Sequence, residues 1–255
     1  MNGQGREPAR VALVTAGADG IGAAVVERLA ADGLTVVAAD IDDDGLARRW
    51  GGDDGVAGRV HPRHLDATSP DDARRLVDAV VSELGGLDVC VNVVGGSRPG
   101  VTIDALEPEA WQRLVDLNLT SVYALCRAVV PHMREAGGGA IVNVSSGAAI
   151  RGMKANPAYI AAKAGVIALT RSLAIDHGPE GIRVNCVAPG PVATPLMRRN
   201  RTPDEIEQIA ATQTLVGRIG EPSELAAAVA WLASSEASYV LGQTLSVDGG
   251  VATSI

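Results

Sequence analysis

The chain has 255 residues, 47% hydrophobic and 20% charged, a composition that suits a globular protein with a sizeable core and excludes a disordered one. Basic residues number 22 against 30 acidic, a net charge of −8 without basic runs, which disfavours nucleic acid and anionic membrane as partners. No uninterrupted apolar stretch approaches the roughly 18–20 residues of a bilayer span, and the polar opening "MNGQGREPAR" lacks the apolar segment of a secretory signal.

Residues 1–9 read as a flexible lead-in. The run "RVALVTA" at 10–16 is compact, apolar and ended by glycines, as a buried parallel strand would be. Helical spacing over 22–33 is followed by a second strand at 34–40 and a weaker third at 58–66. The stretch 69–85 opens as a helix does, with Ser69 as cap, Pro70 at the first helical position and early acids. A fourth strand at 87–96 and a long helix over most of 108–135 come next, then a strand at 139–146. A helix of about 20 residues starts near Pro157, and 181–190 is another strand. The segment 191–220 is irregular, with a helical piece after "TPDEIE" (202–207). A helix at 222–234 and a strand at 243–250 close the chain. Such alternation predicts a parallel sheet with helices on both faces, and without repeats or a Pro/Ser linker 1–255 reads as one domain.

The odd set Cys90, Cys126 and Cys186, each in an apolar stretch and none in a CxxC, reads as buried free thiols of a reducing cytoplasm. His61, His64, His132 and His177 lack metal-ligand spacing, so no metal is expected. Trp50, Trp111 and Trp231 read as fillers between helices, and Tyr123 and Tyr239 as structural.

Chemistry concentrates elsewhere. The first strand runs into "TAGADGIG" (15–22) before the helix begins, and glycines there let backbone approach a pyrophosphate at a helix N-terminus. Asp40 ends the second strand, 18 residues after Gly22, where a carboxylate can accept both hydroxyls of an adenosine ribose. It would repel a 2′-phosphate, and "DIDDDG" supplies no cation to offset it. NAD is therefore favoured over NADP.

With these motifs the chain resembles the short-chain dehydrogenases/reductases of about 250 residues over essentially 8–250. That family's TGxxxGxG appears with Thr15, Gly20 and Gly22 but with Ala16 for the first glycine and Gly17 beside it. A methyl at 16 is tolerable at negative φ and strained otherwise. The family's NNAG appears as "NVVG", keeping Asn92 and Gly95. "PGPVAT" (189–194) matches PGxxxT, and the C-terminal signature comes after it. The resemblance implies a doubly wound Rossmann-type α/β fold whose seven-stranded sheet has order 3-2-1-4-5-6-7. It further implies cofactor contacts from Gly17, Asp19, Gly20, Ile21, Gly22, Asp40, Ile41, Asp66, Ala67, Asn92, Val94, Gly95, Tyr159, Lys163, Pro189, Gly190, Val192 and Thr194. Of these, Asp66 would meet adenine and Thr194 the nicotinamide carboxamide.

The family's YxxxK is Tyr159 and Lys163; its Ser, 13 residues earlier, is Ser146, with Ser145 as a decoy, and its Asn is Asn118 in "VDLNLTS". Residues i and i+4 share a helix face, so Lys163 can stand beside the phenol and the nicotinamide ribose. Bringing a tyrosine from pKa 10 to near 7 takes about 4 kcal/mol, which an ammonium and an oxidised nicotinamide both favour. Tyr159 then exchanges the carbinol proton as hydride passes to or from the nicotinamide. By resemblance, Ser146 would hold the substrate oxygen and Asn118 a water behind Lys163.

The expected activity is NAD(H)-dependent oxidation of a secondary alcohol or reduction of its ketone. Substrate loops at 96–103, 147–157 and 191–215 carry Ile150, Met153, Leu196 and Met197, which suggests a cyclic or hydrophobic compound. A lid over 191–220 holds Arg198, Arg199 and Arg201, and Arg98 lies on another loop; these read as solvated charge or as partners for a substrate carboxylate. One alternative is an NADPH-dependent 3-oxoacyl-(carrier protein) reductase. Asp40 disfavours it, as do "MREAGGG" and "IDHGPEG", taken as acidic or neutral helix ends bordering the site. Another is an inactive NAD-sensing regulator, disfavoured by the complete Asn-Ser-Tyr-Lys set. The resemblance also implies a homotetramer, and the free thiols place it in the cytoplasm.

Overall fold

The structure, a computed structural model, describes residues 10–52, 57–97 and 99–253. The expected lead-in at 1–9 and Arg98 lie outside the described residues.

Seven parallel strands form one sheet in the order β3-β2-β1-β4-β5-β6-β7. They are β1 (Val11–Thr15), β2 (Thr35–Asp40), β3 (Val60–His64), β4 (Val89–Asn92), β5 (Gly139–Val144), β6 (Ile182–Pro189) and β7 (Thr244–Val247). Within the central strands, alternate side chains feed opposite cores, as the two-residue period requires. Val11 and Leu13 point into the layer of α3 (Pro70–Leu84), α5 (Ser121–Glu135) and α7 (Pro157–His177). Ala12 and Val14 meet α1 (Gly20–Ala31), α2 (Asp43–Trp50) and α10 (Pro222–Ala233) on the other face.

Local chemistry sets the helix ends. Ser69 Oγ accepts from Asp72 N and Pro70 opens α3, as the sequence predicted, and Gly85 ends it at φ +81°. The helix α2 is a departure from the sequence reading, which left 43–50 unassigned. Its "DDGLARRW" is charged and contains glycine, yet a Cβ at Gly45 would meet the Asp42 carboxylate at 2.5 Å, so the cap itself requires the glycine.

Two stretches, Pro108–Glu135 and Pro157–Glu180, match a bilayer span in length and mean hydropathy. Both contain charged residues and pack one face on the sheet, α5 and α7 lying in its helical layer. The first is not a single α-helix. After α4 (Pro108–Val115) a π-helical turn, Asp116–Thr120, leads into α5, with Ser121 N–H reaching the Asp116 carbonyl five residues back.

The segments 133–138 and 175–181 correct an expectation. Gly139 N donates to Gly181 O at 3.3 Å where β5 and β6 begin, so both helix ends lie at the sheet edge opposite the strand C-termini. They do not border the candidate site, and their charge says nothing about a carrier protein.

Candidate active site

All seven strands end at one edge, and the strand order reverses between β1 and β4, the place where α/β sheets leave a crevice. The turn after β1 is fixed from three sides. Gly17 N donates to Ala39 O at 3.0 Å, Ala18 N to Asp40 Oδ2 at 3.1 Å, and Trp50 Nε1 to Gly17 O at 2.9 Å. Trp50 is thus more than a filler, whereas Trp231 is 38% exposed and Tyr239 lies fully on the surface. A Cβ at Gly22 would overlap the Ala16 carbonyl, and one at Gly20 would sit 3.3 Å from the Thr194 methyl. Asp19 caps α1 by accepting from Gly20 N at 2.8 Å. Ala16 has φ +54°, so the replacement of glycine there is strained by about 1 kcal/mol.

Asp40 closes β2 with Oδ1 accepting from Asp42 N at 3.0 Å, next to Ile41, which is 64% exposed. Across the neighbouring strand, Asp66 Oδ1 accepts from Thr68 N and Oγ1 at 2.9 and 2.6 Å, followed by buried Ala67. Asp40, Ile41, Asp66 and Ala67 thus lie together at the C-terminal ends of β2 and β3.

The loop after β4 is held by Thr15, whose Oγ1 accepts from Val93 N at 2.9 Å and Val94 N at 3.3 Å. The Asn92 side chain turns inward. Its Nδ2 donates to Asn143 Oδ1 at 2.8 Å, and Asn143 Nδ2 donates to Thr170 Oγ1 at 3.0 Å. Sequence reasoning did not find this buried network. The thiols of Cys90, Cys126 and Cys186 lie in the same interior, where burial pushes Cys126 up to about 12 and Cys186 to about 11.

Lys163 is buried in α7 and donates through Nζ to Val144 O at 2.9 Å and Val94 O at 3.3 Å. A Cβ at Gly95 would lie 2.7 Å from that nitrogen and 2.8 Å from Asn118 Oδ1, so only glycine fits between them. Asn118 sits in the π-turn. Its Oδ1 accepts from Gly96 N at 3.1 Å, and its Nδ2 donates to Gly96 O and Leu114 O, both at 2.9 Å. Both amide protons are therefore spent on backbone, and the side chain fixes the loop.

Ser146, capping α6 (Gly147–Arg151), has its hydroxyl within reach of the Tyr159 phenol. Ser145 instead donates to the Lys163 carbonyl at 2.7 Å. Burial raises the Tyr159 pKa and the Ser146 hydrogen bond opposes this; burial drops Lys163 from 10.5 to about 8. The phenol of the protein alone is thus shifted opposite to the sequence expectation.

Beyond β6, Gly190 allows no side chain against the Asp248 backbone, and Val192 bridges to Gly220. Thr194 caps α8 (Pro195–Asn200), accepting from Met197 N at 3.2 Å. Arg201 pairs with Glu205 at 3.7 Å, while Arg198 and Arg199 are exposed.

A family model described as enoyl-(acyl carrier protein) reductase matches residues 15–252. The chain belongs to the short-chain dehydrogenase/reductase family. Members of this oxidoreductase family use nicotinamide cofactors. The chain is 42% identical to cis-4-hydroxycyclohexanecarboxylate dehydrogenase of Sinomonas cyclohexanicum, over 94% of its length and 96% of the relative. It is 37% identical to a 3-oxoacyl-[acyl-carrier-protein] reductase of Thermotoga maritima, over 95% and 97%. Among solved structures, the ligand-free aldohexose dehydrogenase of Thermoplasma acidophilum superposes with TM-score 0.87 at 33% identity, covering 97% of this chain and 95% of that one.

Relieving the left-handed alanine should stabilise this short-chain dehydrogenase/reductase: Ala16→Gly is expected to raise Tm by about 1–4 °C. A lower Tm in a thermal melt would show that position 16 is not left-handed.

Because Lys163 binds its proton less tightly when folded, the unfolded chain holds more protons between pH 8 and 10.5, and stability gains as pH rises through that window. Denaturant titrations should therefore show wild type gaining on Lys163→Met by about 2–3 kcal/mol from pH 8 to 10.5. A pH-independent difference would mean that the ammonium is not desolvated.

Proposed function

We propose that this protein is an NAD(H)-dependent dehydrogenase or ketone reductase acting on a secondary alcohol of a cyclic or hydrophobic compound. The observation that carries the reading is the placement of Tyr159, the Ser146 hydroxyl and the buried Lys163 ammonium at the strand ends beside the β1/β4 crevice. A bound nicotinamide would supply the hydride chemistry. Tyr159 takes the carbinol proton in oxidation and returns it in reduction, with Ser146 holding the same oxygen. Lys163 spends two of its three N–H donors on Val94 and Val144, which leaves one for the ribose and phenol side. Since burial raises the phenol, the descent toward pH 7 must come from Lys163 and the positive nicotinamide together.

The residues fit such a cofactor. The N-terminus of α1 suits a pyrophosphate, with Gly17, Ile21 and Gly22 around it, and the glycines let this turn pack directly on Ala38 and the Ala16 carbonyl. Asp40 would hold the ribose diol, and Ile41, Asp66 and Ala67 would hold the adenine. Val94, Gly95, Pro189, Gly190, Val192 and Thr194 would hold the nicotinamide end, with 191–220 as lid. Exposed Ile150, Met153 and Leu196 suit an apolar skeleton, in keeping with the ring alcohol named for the Sinomonas relative.

A second reading, reduction of a carrier-bound 3-oxoacyl group, gains from the exposed Lys154, Arg198 and Arg199 on the loops of the substrate end. Asp40 argues for NAD and against it. Comparing kcat/KM for NAD⁺ with an alcohol panel against NADPH with a 3-oxoacyl carrier separates the two, and NAD⁺ is expected to win by more than about tenfold. Tyr159→Phe should abolish turnover and leave coenzyme affinity unchanged; residual rates within about tenfold of wild type would sink the assignment.

A cytoplasmic homotetramer completes the proposal. The outward faces of α5 and α7 expose Tyr123 (45%), Ile175 (76%) and several alanines, apolar surface suited to helix pairing between copies. Light scattering at micromolar concentration should give four chains per particle, and a monomer would contradict it.

A further inference from the structure

Asn156 stands three residues before Tyr159, at the N-cap of α7, yet its side chain makes no capping bond. It is 2% exposed. Nδ2 donates to Ser97 Oγ at 2.7 Å and approaches Met153 Sδ at 3.5 Å, while Oδ1 is buried without a hydrogen-bond partner among the described residues. Leaving an amide oxygen so buried is expensive, and native interiors rarely do it. Among the described residues the one other such side-chain atom is Thr244 Oγ1, in β7 at the sheet edge.

The backbone beside it is strained as well. Ala155 has φ +52°, and its carbonyl accepts from Gly100 N at 2.8 Å and Val101 N at 3.1 Å. Two loops of the substrate end, one after β4 and one before α7, thus meet over the Asn156 amide. Ser97 and Met153, which touch that amide, are themselves exposed, and both side chains can turn aside. Strain and an orphaned polar atom together, one helical turn from the phenol, mark a position kept for binding rather than for stability.

We propose that Asn156 recognises the substrate: its unpartnered amide oxygen accepts a hydrogen bond from a second hydroxyl, so the substrate is a diol or hydroxyketone and not a simple hydrophobic alcohol. This rests on the alcohol dehydrogenase reading above and narrows it. A hydroxyl suits either orientation of the amide, since it donates to Oδ1 or accepts from Nδ2 while the Ser97 hydroxyl takes the other role. An analogue without that O–H leaves a buried polar atom unpaired, which is how such sites discriminate. Ile150 and Met153 cover the ring carbons.

The test compares cyclohexanol with the 1,2-, 1,3- and 1,4-cyclohexanediols as substrates of wild type and Asn156→Ala, with NAD⁺ and with NADP⁺. Wild type is expected to prefer at least one diol by about tenfold or more in kcat/KM. Asn156→Ala should lose that preference by losing rate on the diol alone, with KM for the coenzyme and rate on cyclohexanol unchanged. Its Tm should hold or rise, because an unpaired buried atom has been removed. An equal fall on diol and cyclohexanol would show that Asn156 merely holds the Ser97 loop, and overturns the proposal. So does oxidation by wild type without diol preference. Oxidation of none of these alcohols with either coenzyme overturns it too and counts against the dehydrogenase reading, whereas turnover without preference leaves that reading standing.

Discussion

The Lys163 ammonium is a charge held away from water, and its requirements shape the strand ends around it. Two of its protons go to carbonyls in the loop after β4 and at the end of β5, so α7 is locked to the middle of the sheet at a fixed height. The backbone of the same residue is gripped from behind by Ser145. Gly95 must be glycine because the nitrogen occupies the space of its Cβ, and Asn118 must lie where it does because it shares that space. A buried charge with fewer partners would be costly enough to unfold the region. The acid/base pair and the architecture of β4, β5 and α7 are thus one construction.

A second polar layer lies beneath it. Asn92, Asn143 and Thr170 pass hydrogen bonds from β4 through β5 to α7, all buried. Thr15 does the equivalent between β1 and the loop after β4. These bonds fix relative strand positions at the crevice, where hydrophobic contacts alone would tolerate small slips. The three thiols among them are pushed toward inertness by the same burial. The polar interior therefore sets geometry, and chemistry is confined to the rim.

Much of this was legible in the sequence because its signals are local. Apolar runs ended by glycine marked the strands, and "TAGADGIG", Asp40 and the Tyr159–Lys163 spacing marked the rim. The hidden parts depend on tertiary partners. Helix α2 is polar along most of its length and exists through its Asp42 cap and the burial of Leu46 and Trp50. The indole of Trp50 could be assigned to core filling from composition, but its bond to Gly17 needs the fold. The sign of φ at Ala16 decides whether the departure from glycine is harmless, and no sequence states it. The rim reached by helix ends such as 133–138 was also legible, because in a parallel sheet each connecting helix must end where the next strand begins, opposite the strand C-termini.

The π-turn at Asp116–Thr120 carries a consequence for how this segment tolerates change in length. Deleting one residue there would let the ladder close into regular α-helix, with no loss of backbone bonding or helical content. That residue is the one a π-turn holds beyond an α-turn, so the flanking helices would stay in phase and the loss would fall on Asn118, which would swing off Gly96. Removing a second residue would rotate the downstream helix by about 100° and take Leu125, Val129 and Met133 out of the core. A deletion scan should therefore find this stretch intolerant while a substitution scan of its exposed positions finds it forgiving. The count of residues between Leu114 and Ser121 is itself a specified quantity, as binding on the chain as the identity of the asparagine it presents.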